Sequence, residues 1–329
     1  MTGPHPATAA TRLAVRRELA RLEQVEPGGS VLVACSGGAD SLALAAAVGF
    51  EVPRTVLSAG AVIVDHGLQK GSSAVAGRAA EQCRVLGLDP VEVVTVHVAV
   101  SGSGPEAGAR DARYRAFEDV AKRVGAVAVL LGHTRDDQAE QVLLGLARGS
   151  GARSLSGMPA RRGRYLRPFL GVARTTTVAA CEAAGLTAWE DPQNSDPSYG
   201  RVRARALLPR LEAELGLGTV AALARSADLL REDADALDDL AVAARAELGP
   251  EPVDATGLMR LPRAIRTRVW RLLAVEAGCP PGALIASHVD CLDTLVTRWR
   301  GQGPIDLPGR VQGSRSGGRV LVAPTYRVE

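Results

Sequence analysis

The feature that most constrains this chain is the alternation of short apolar runs with helical patterns over its first half. Residues 30–35 (SVLVAC), 61–65 (AVIVD), 91–98 (VEVVTVHV) and 126–131 (AVAVLL) are such runs. Helical patterns at 41–48, 73–86, 106–124 and 136–147 lie between and after them. Continuous apolar strands separated by helices predict a doubly wound, mostly parallel α/β sheet covered on both faces. Functional groups in such sheets gather at the carboxyl ends of the strands. Here those ends read SGGADS (36–41), DHGLQ (65–69), SGSGPEAGAR (101–110) and GHTRDDQAE (132–140).

The second half reads differently. Helices are expected over 201–215, 219–248, 261–278 and 286–299, and the tail PIDLPGRVQGSRSGGRVLVAP reads as short strands joined by glycine turns. The expected organisation is a catalytic domain at 1–215 and a smaller, mainly helical domain at 216–329 that ends in short strands.

With 329 residues the chain is long enough for two cores, and its net charge of +3 excludes a general polycation. Nearly all the positive charge is arginine; Lys70 and Lys122 are the only lysines. The five cysteines are scattered and form no CxxC pair, which argues against a disulfide scaffold or a zinc ribbon. No apolar run reaches the roughly 18–20 residues needed to span a bilayer, and the N-terminus lacks a signal-peptide core. A cytoplasmic protein with no membrane partner is expected.

SGGADS places small residues between a strand and a helix. Gly37, Gly38 and Ala39 let backbone N–H groups approach an anion, Ser36 and Ser41 offer hydroxyls, and the helix start adds partial positive charge. Asp40 fits such a site if it carries a metal or caps the helix. The lysine of a Walker loop is absent, as is a hydrolase GxSxG elbow. On the helix after Gly132, His133, Asp137 and Glu140 recur at helical spacing, so their side chains converge. Such carboxylates suit Mg²⁺ or an amine. Arg110, Arg113 and Arg115 lie near a helix start, where cations oppose the dipole, and this suggests an anionic partner. Arg113 and Tyr114 are expected to face inward. Residues 141–181 hold no acid but many arginines, among them Arg148, and Arg201, Arg203 and Arg205 follow. Arginines gathered in this way form a surface for phosphate backbones.

SGGADS resembles the loop of the N-type ATP pyrophosphatases. Together with VDHGL (64–68), EAGARDARY (106–114), the 132–151 segment, LSGMP (155–159), YLRPFL (165–170) and WEDPQNSD…YGRVRARALLP (189–209), it resembles the tRNA(Ile)-lysidine synthetase family. The chain departs from that family's usual pattern at Gln141 and Val202. The resemblance implies a PP-loop, Rossmann-like catalytic domain that uses ATP and Mg²⁺. It implies ligation of free L-lysine to the wobble cytidine of the isoleucine tRNA with a CAU anticodon, through an adenylated base. It assigns Ser36, Gly37, Gly38, Ala39, Asp40 and Ser41 to ATP phosphates, with Asp40 placing Mg²⁺. Asp65, His66, Gly132 and His133 fall beside the nucleotide. Asp137 and Glu140 take the lysine amine, and Arg113 offsets charge in adenylation. Arg148, Arg201, Arg203 and Arg205 meet tRNA. A homodimer is among the assemblies it allows. The alternatives are a tRNA thiolase or an amide-forming synthetase on the same nucleotide fold.

Overall fold

The computed structural model describes residues 3–67, 71–96, 105–149 and 151–325. The expected strand end at 97–98, the glycine-rich loop 101–104, and residues 68–70 and 150 of the quoted motifs lie outside the described residues. In chain order the first part comprises α1 (Pro6–Val25), β1 (Ser30–Ala34), α2 (Ala39–Glu51), β2 (Ser58–Asp65), α3 (Ser72–Val85), β3 (Val91–Thr95), α4 (Pro105–Arg123), β4 (Ala126–Leu131) and α5 (Arg135–Ala147). Then follow α6 (Ala152–Leu155), β5 (Arg161–Arg162), β6 (Tyr165–Leu166), α7 (Arg174–Ala183) and α8 (Gly200–Leu215).

These strands form one sheet in the order β3-β2-β1-β4-β6-β5. All pairs are parallel except β5 with β6. The Val- and Leu-rich strands are apolar on both faces because both faces are covered. Val31 and Val33 point to a core shared with α1, α2, α3 and α7. Leu32, Val62 and Val129 point the other way, to Phe117, Val120 and Ala121 of α4. Helix α1 was not legible as an element in the sequence reading, yet Thr11, Val15, Leu19 and Leu22 are buried at helical spacing along it.

Two compact units divide the chain, residues 1–229 and 230–329. The division falls within α9 (Thr219–Glu247), fourteen residues beyond the boundary expected at 215. The reason is local packing: Val220 and Leu223 of α9 share a small core with Ala139 and Leu208.

The second unit contains the rest of α9, then β7 (Val253–Asp254), α10 (Ala255–Arg260), α11 (Arg263–Glu276), α12 (Ala286–Thr297), β8 (Ile305–Leu307), β9 (Val311–Ser316) and β10 (Arg319–Pro324). The four strands form an antiparallel sheet in the order β7-β10-β9-β8. The helix expected from residue 261 starts instead at Arg263, because Pro262 at its N-cap takes an extended ψ of 143°. Trp270 is fully buried at its centre and donates its indole N–H to Asp293 Oδ1 at 3.1 Å. Arg266 grips the same carboxylate at 2.7 and 3.1 Å, so this buried charge is paired and hydrogen-bonded.

Candidate active site

The turn between β1 and α2 is built to face an anion. Gly38 is the N-cap of α2 and brings no capping side chain, so the N–H groups of the first turn keep free hydrogen-bonding capacity. Gly37 has φ 81°, a conformation that strains any L side chain. The backbone N–H of Trp189 donates to Gly37 O at 2.9 Å, which ties the 189–191 segment to the loop. The two serines divide their work. Ser41 is buried; its hydroxyl donates to Gly38 O at 2.9 Å and accepts from the Ser36 N–H at 3.1 Å. Ser41 therefore holds the loop's shape from inside, and the hydroxyl of exposed Ser36 lies 3.2 Å from that of Ser41.

A partly open pocket adjoins the loop, lined by Ser36, Asp65, His66, Val75, Trp189 and Asp191 among others. Asp65 is buried at the end of β2 and accepts the Gly67 N–H at 3.0 Å, which fixes the turn that carries His66. His66 accepts from Arg113 Nε at 3.3 Å through Nε2, and its Nδ1 is buried without a partner. Burial and the Arg113 charge lower the His66 pKa, so the ring is neutral and Nδ1 is left to serve a ligand.

On the other side of the loop three carboxylates converge. Asp40 comes from α2, Asp137 and Glu140 from α5. Arg174, the first residue of α7, joins them: its guanidinium lies 2.7 Å from Asp137 Oδ1, 3.2 Å from Glu140 Oε1 and 3.4 Å from Asp40 Oδ2. Its backbone N–H donates to Asp136 at 2.8 Å. Thr177, one turn further along α7, donates its hydroxyl to Asp40 Oδ1. Arg205 of α8 adds a contact of 2.7 Å to Glu140 Oε1 and one of 3.7 Å to Asp137. Three carboxylates meet two guanidiniums, and a fourth, Asp136, takes the Arg174 backbone N–H, so acids outnumber cations here and the cluster suits a cationic ligand.

The acids respond in different ways. Burial raises the Asp40 carboxyl pKa, although Thr177 and Arg174 pull against it. Burial also works to raise Asp137, but Arg174 and the hydrogen bonds from Thr134 overcome it and hold this carboxyl below the usual range. The bond from the Thr134 N–H, 2.7 Å, is the Asp137 half of the capping box that starts α5, and the Thr134 hydroxyl adds a second at 2.9 Å. Asp40 is the residue that would hold a Mg²⁺ ion at the loop. Both its oxygens are engaged, but each keeps a second lone pair, and Mg²⁺ takes only one or two carboxylates beside phosphate oxygens.

Gly132 and His133 link the two loops. A Cβ on Gly132 would stand 3.1 Å from Asp40 O and 3.2 Å from Ser41 N, so this glycine lets β4 press against the anion loop. His133 is pushed down to about 4, first by burial, then by Arg167, Arg201 and Arg110 against the pull of Asp137. Its ring is neutral at ordinary pH and lies in the fields of both the acid cluster and a group of arginines.

The structure revises several expectations. Arg113 does not face inward: Ala112, Ala116, Phe117 and Val120 form the buried face of α4, and exposed Arg113 reaches across to His66. Tyr114 is half-buried and packs edge-on against Tyr165. Arg203 bonds the carbonyls of Pro197 and Ser198 at 2.6 and 2.8 Å, and Arg205 is committed to the acids. Arg148 is exposed at the C-cap of α5. Arg174 and Thr177 were missed. A cation at the first position of a helix, three residues before a threonine on the same face, was the signal that could have found them. Cys35 adjoins the loop but is 3% exposed, with its thiol turned toward Ser41 at 3.7 Å.

A family model described as a PP-loop domain matches residues 11–211. A tRNA(Ile)-lysidine synthase from Thermobifida fusca (strain YX) is 58% identical over 327 residues, covering 98% of this chain and 99% of that one. The chain belongs to the tRNA(Ile)-lysidine synthase family. Another family member, from Streptomyces coelicolor, is 54% identical over 97% of this chain and 99% of its own length. Among solved structures, the U34-tRNA thiolase NcsA from Methanococcus maripaludis aligns with a TM-score of 0.56 at 18% identity, over 67% of this chain and 78% of that one. That likeness shows the fold alone. The matched PP-loop domain supports the use of ATP. Among the described residues no helix is long and apolar enough to cross a membrane.

Proposed function

We propose that this chain ligates free L-lysine to the wobble cytidine of the isoleucine tRNA with a CAU anticodon. The observation that carries this reading is the acid cluster of Asp137, Glu140 and Asp40 beside the anion loop. One site thus offers a seat for phosphates and, next to it, one for a cationic amine.

In the first step the cytidine O2 attacks the α-phosphorus of ATP, the bond to the β-phosphate oxygen breaks, and pyrophosphate leaves. The first turn of α2 and the Ser36 hydroxyl hold the polyphosphate, and the neutral imidazole of His66 and the pocket beyond it hold the nucleoside. Mg²⁺ held against Asp40 would neutralise phosphate charge. Arg113 stands over His66, where it offsets negative charge as the α-phosphate is attacked.

In the second step the lysine side-chain amine attacks carbon 2 of the base and AMP leaves with the former O2. The amine begins as an ammonium and must lose a proton before it attacks. Asp137 is held ionised, so it binds the ammonium, and buried Glu140 is the second acceptor at the same place. Overall one carbon–nitrogen bond forms, and ATP becomes AMP and pyrophosphate.

The test is lysine incorporation. Purified protein, ATP, Mg²⁺ and radiolabelled lysine are mixed with the CAU isoleucine tRNA transcript or with its cytidine-to-uridine wobble variant. Label retained on the first tRNA alone is the expected result. Label on neither, or on both alike, contradicts the reaction.

A further inference from the structure

Arg167, directly after β6, is 6% exposed, yet its Nε is buried without a hydrogen-bond partner. Its Nη1 is spent on Pro159 O at 2.8 Å. Burial lowers its pKa first; Tyr114 opposes, and Arg110 and Arg162 add to the lowering. Arg110 stacks on the Tyr114 ring at 4.9 Å and donates to the Tyr114 hydroxyl at 3.3 Å. Arg113 feels Arg110 and Arg201 as repelling neighbours, and His133 feels Arg167, Arg201 and Arg110. Among the described residues, no ion pair holds Arg110, Arg113, Arg167 or Arg201. Three guanidiniums from three parts of the chain, Arg110, Arg167 and Arg201, therefore act on His133, and none of the three is held in an ion pair among the described residues. For buried Arg167 that arrangement is costly unless an anion completes it.

The topology says which anion. The nucleoside pocket lies on the β2 side of the anion loop, lined from β2 and α3. Arg167 lies on the opposite side. From β1 the sheet passes through β4 to β6, two strand spacings or about 10 Å away. An ATP seated with its phosphates at Ser36 and its nucleoside toward His66 runs away from Arg167. The anion at Arg167 belongs to the second substrate.

We propose that Arg167, with Arg110 and Arg201, forms a separate phosphate seat that takes a backbone phosphodiester of the RNA next to the nucleotide being modified. The inference rests on the tRNA reading of the site. It assigns a distinct element to each charge: phosphates of ATP to the α2 turn, the lysine amine to the acid cluster, and an RNA phosphate to the arginines. His133 lies among them as a neutral group, which lets opposite charges sit close without an ionised residue between them.

The experiment measures binding of the unmodified tRNA transcript across a salt series, and separately the KM for ATP, for wild type, Arg167→Gln, Arg167→Lys and Arg110→Gln. Arg110 is exposed, so its variant reports on the seat with the core untouched. The expected result is a tRNA Kd raised about tenfold in Arg167→Gln and Arg110→Gln. The slope of log K against log salt should be shallower by about 0.7–0.9, the loss of one phosphate contact. Arg167→Lys should fall between, and the ATP KM should stay within twofold. A tRNA Kd and salt slope unchanged in both Gln variants would overturn the proposal, as would an effect confined to the ATP KM. Wild-type protein that binds tRNA with a steep salt slope but incorporates no lysine would contradict the reaction and leave the seat standing.

Discussion

Arg174 Nη2 lies 2.7 Å from Asp137 Oδ1, while the same guanidinium reaches Glu140 and Asp40, so one residue of α7 joins the anion loop to the acid helix. The pairing is mutual. The carboxylates outweigh burial and raise the Arg174 pKa, and Arg174 in turn keeps Asp137 ionised. Removing one partner of a buried pair leaves the others uncompensated, at a cost of about 3–5 kcal/mol. Arg174→Ala should therefore lower the thermal midpoint by several degrees and reduce lysine ligation at least about 100-fold. Arg174→Lys, which keeps the charge without the fork, should lie between. Thermal unfolding together with single-turnover ligation checks both.

Thr177 donates to Asp40 and helps hold its carboxylate at the loop. Thr177→Val keeps the shape and removes the hydroxyl, leaving one Asp40 oxygen less satisfied at a cost of about 1–3 kcal/mol. The expected outcome is a KM for ATP raised about tenfold, with the KM for lysine little changed. Steady-state kinetics with each substrate varied in turn decides it.

Gly132 allows β4 to pack against the backbone of Asp40 and Ser41. A methyl group there meets backbone, which gives way less readily than the end of a side chain. Gly132→Ala should push the loop outward and cost about 1–3 kcal/mol. Weakened ATP binding in a folded protein is the expected outcome, measured by titration calorimetry with a non-hydrolysable ATP analogue.

His133 gives a pH signature. Burial first, then the arginines, push its pKa down to about 4, whereas in the unfolded chain it titrates near about 6.5. Between those values the unfolded chain binds a proton that the folded chain does not. Stability from this group is thus complete above pH 6.5 and is lost as pH falls toward 4, by on the order of 3 kcal/mol. Asp137, also depressed, extends the loss at lower pH. Denaturant midpoints at pH 7.5 and pH 5 should differ in the wild type and differ less in His133→Gln.

Much of this architecture could be read from local pattern. The strands at 30–34 and 126–131 are continuous apolar runs because both sheet faces are covered, and the glycines of SGGADS mark the turn between β1 and α2. Asp137 and Glu140 converge because three residues make almost one helical turn. The contacts that could not be read cross the chain. Arg174 meets Asp40 over 134 positions, and Arg205 meets Glu140 over 65. Periodicity carries no information about such pairs, and the Arg205 contact to Glu140 is one of them. Arg113 faces outward because Ala112, Ala116, Phe117 and Val120 take the buried face of α4.

The central claim is that adenylation and lysine attack use separate halves of one site. It is tested most directly with ATP labelled at the α-phosphate, CAU isoleucine tRNA and no lysine, in wild type and Glu140→Gln. Label retained on the tRNA in both proteins is the expected result. On adding lysine, wild type should release that label as AMP while Glu140→Gln holds it. No label on the tRNA in either protein, or release by Glu140→Gln at the wild-type rate, would contradict the account.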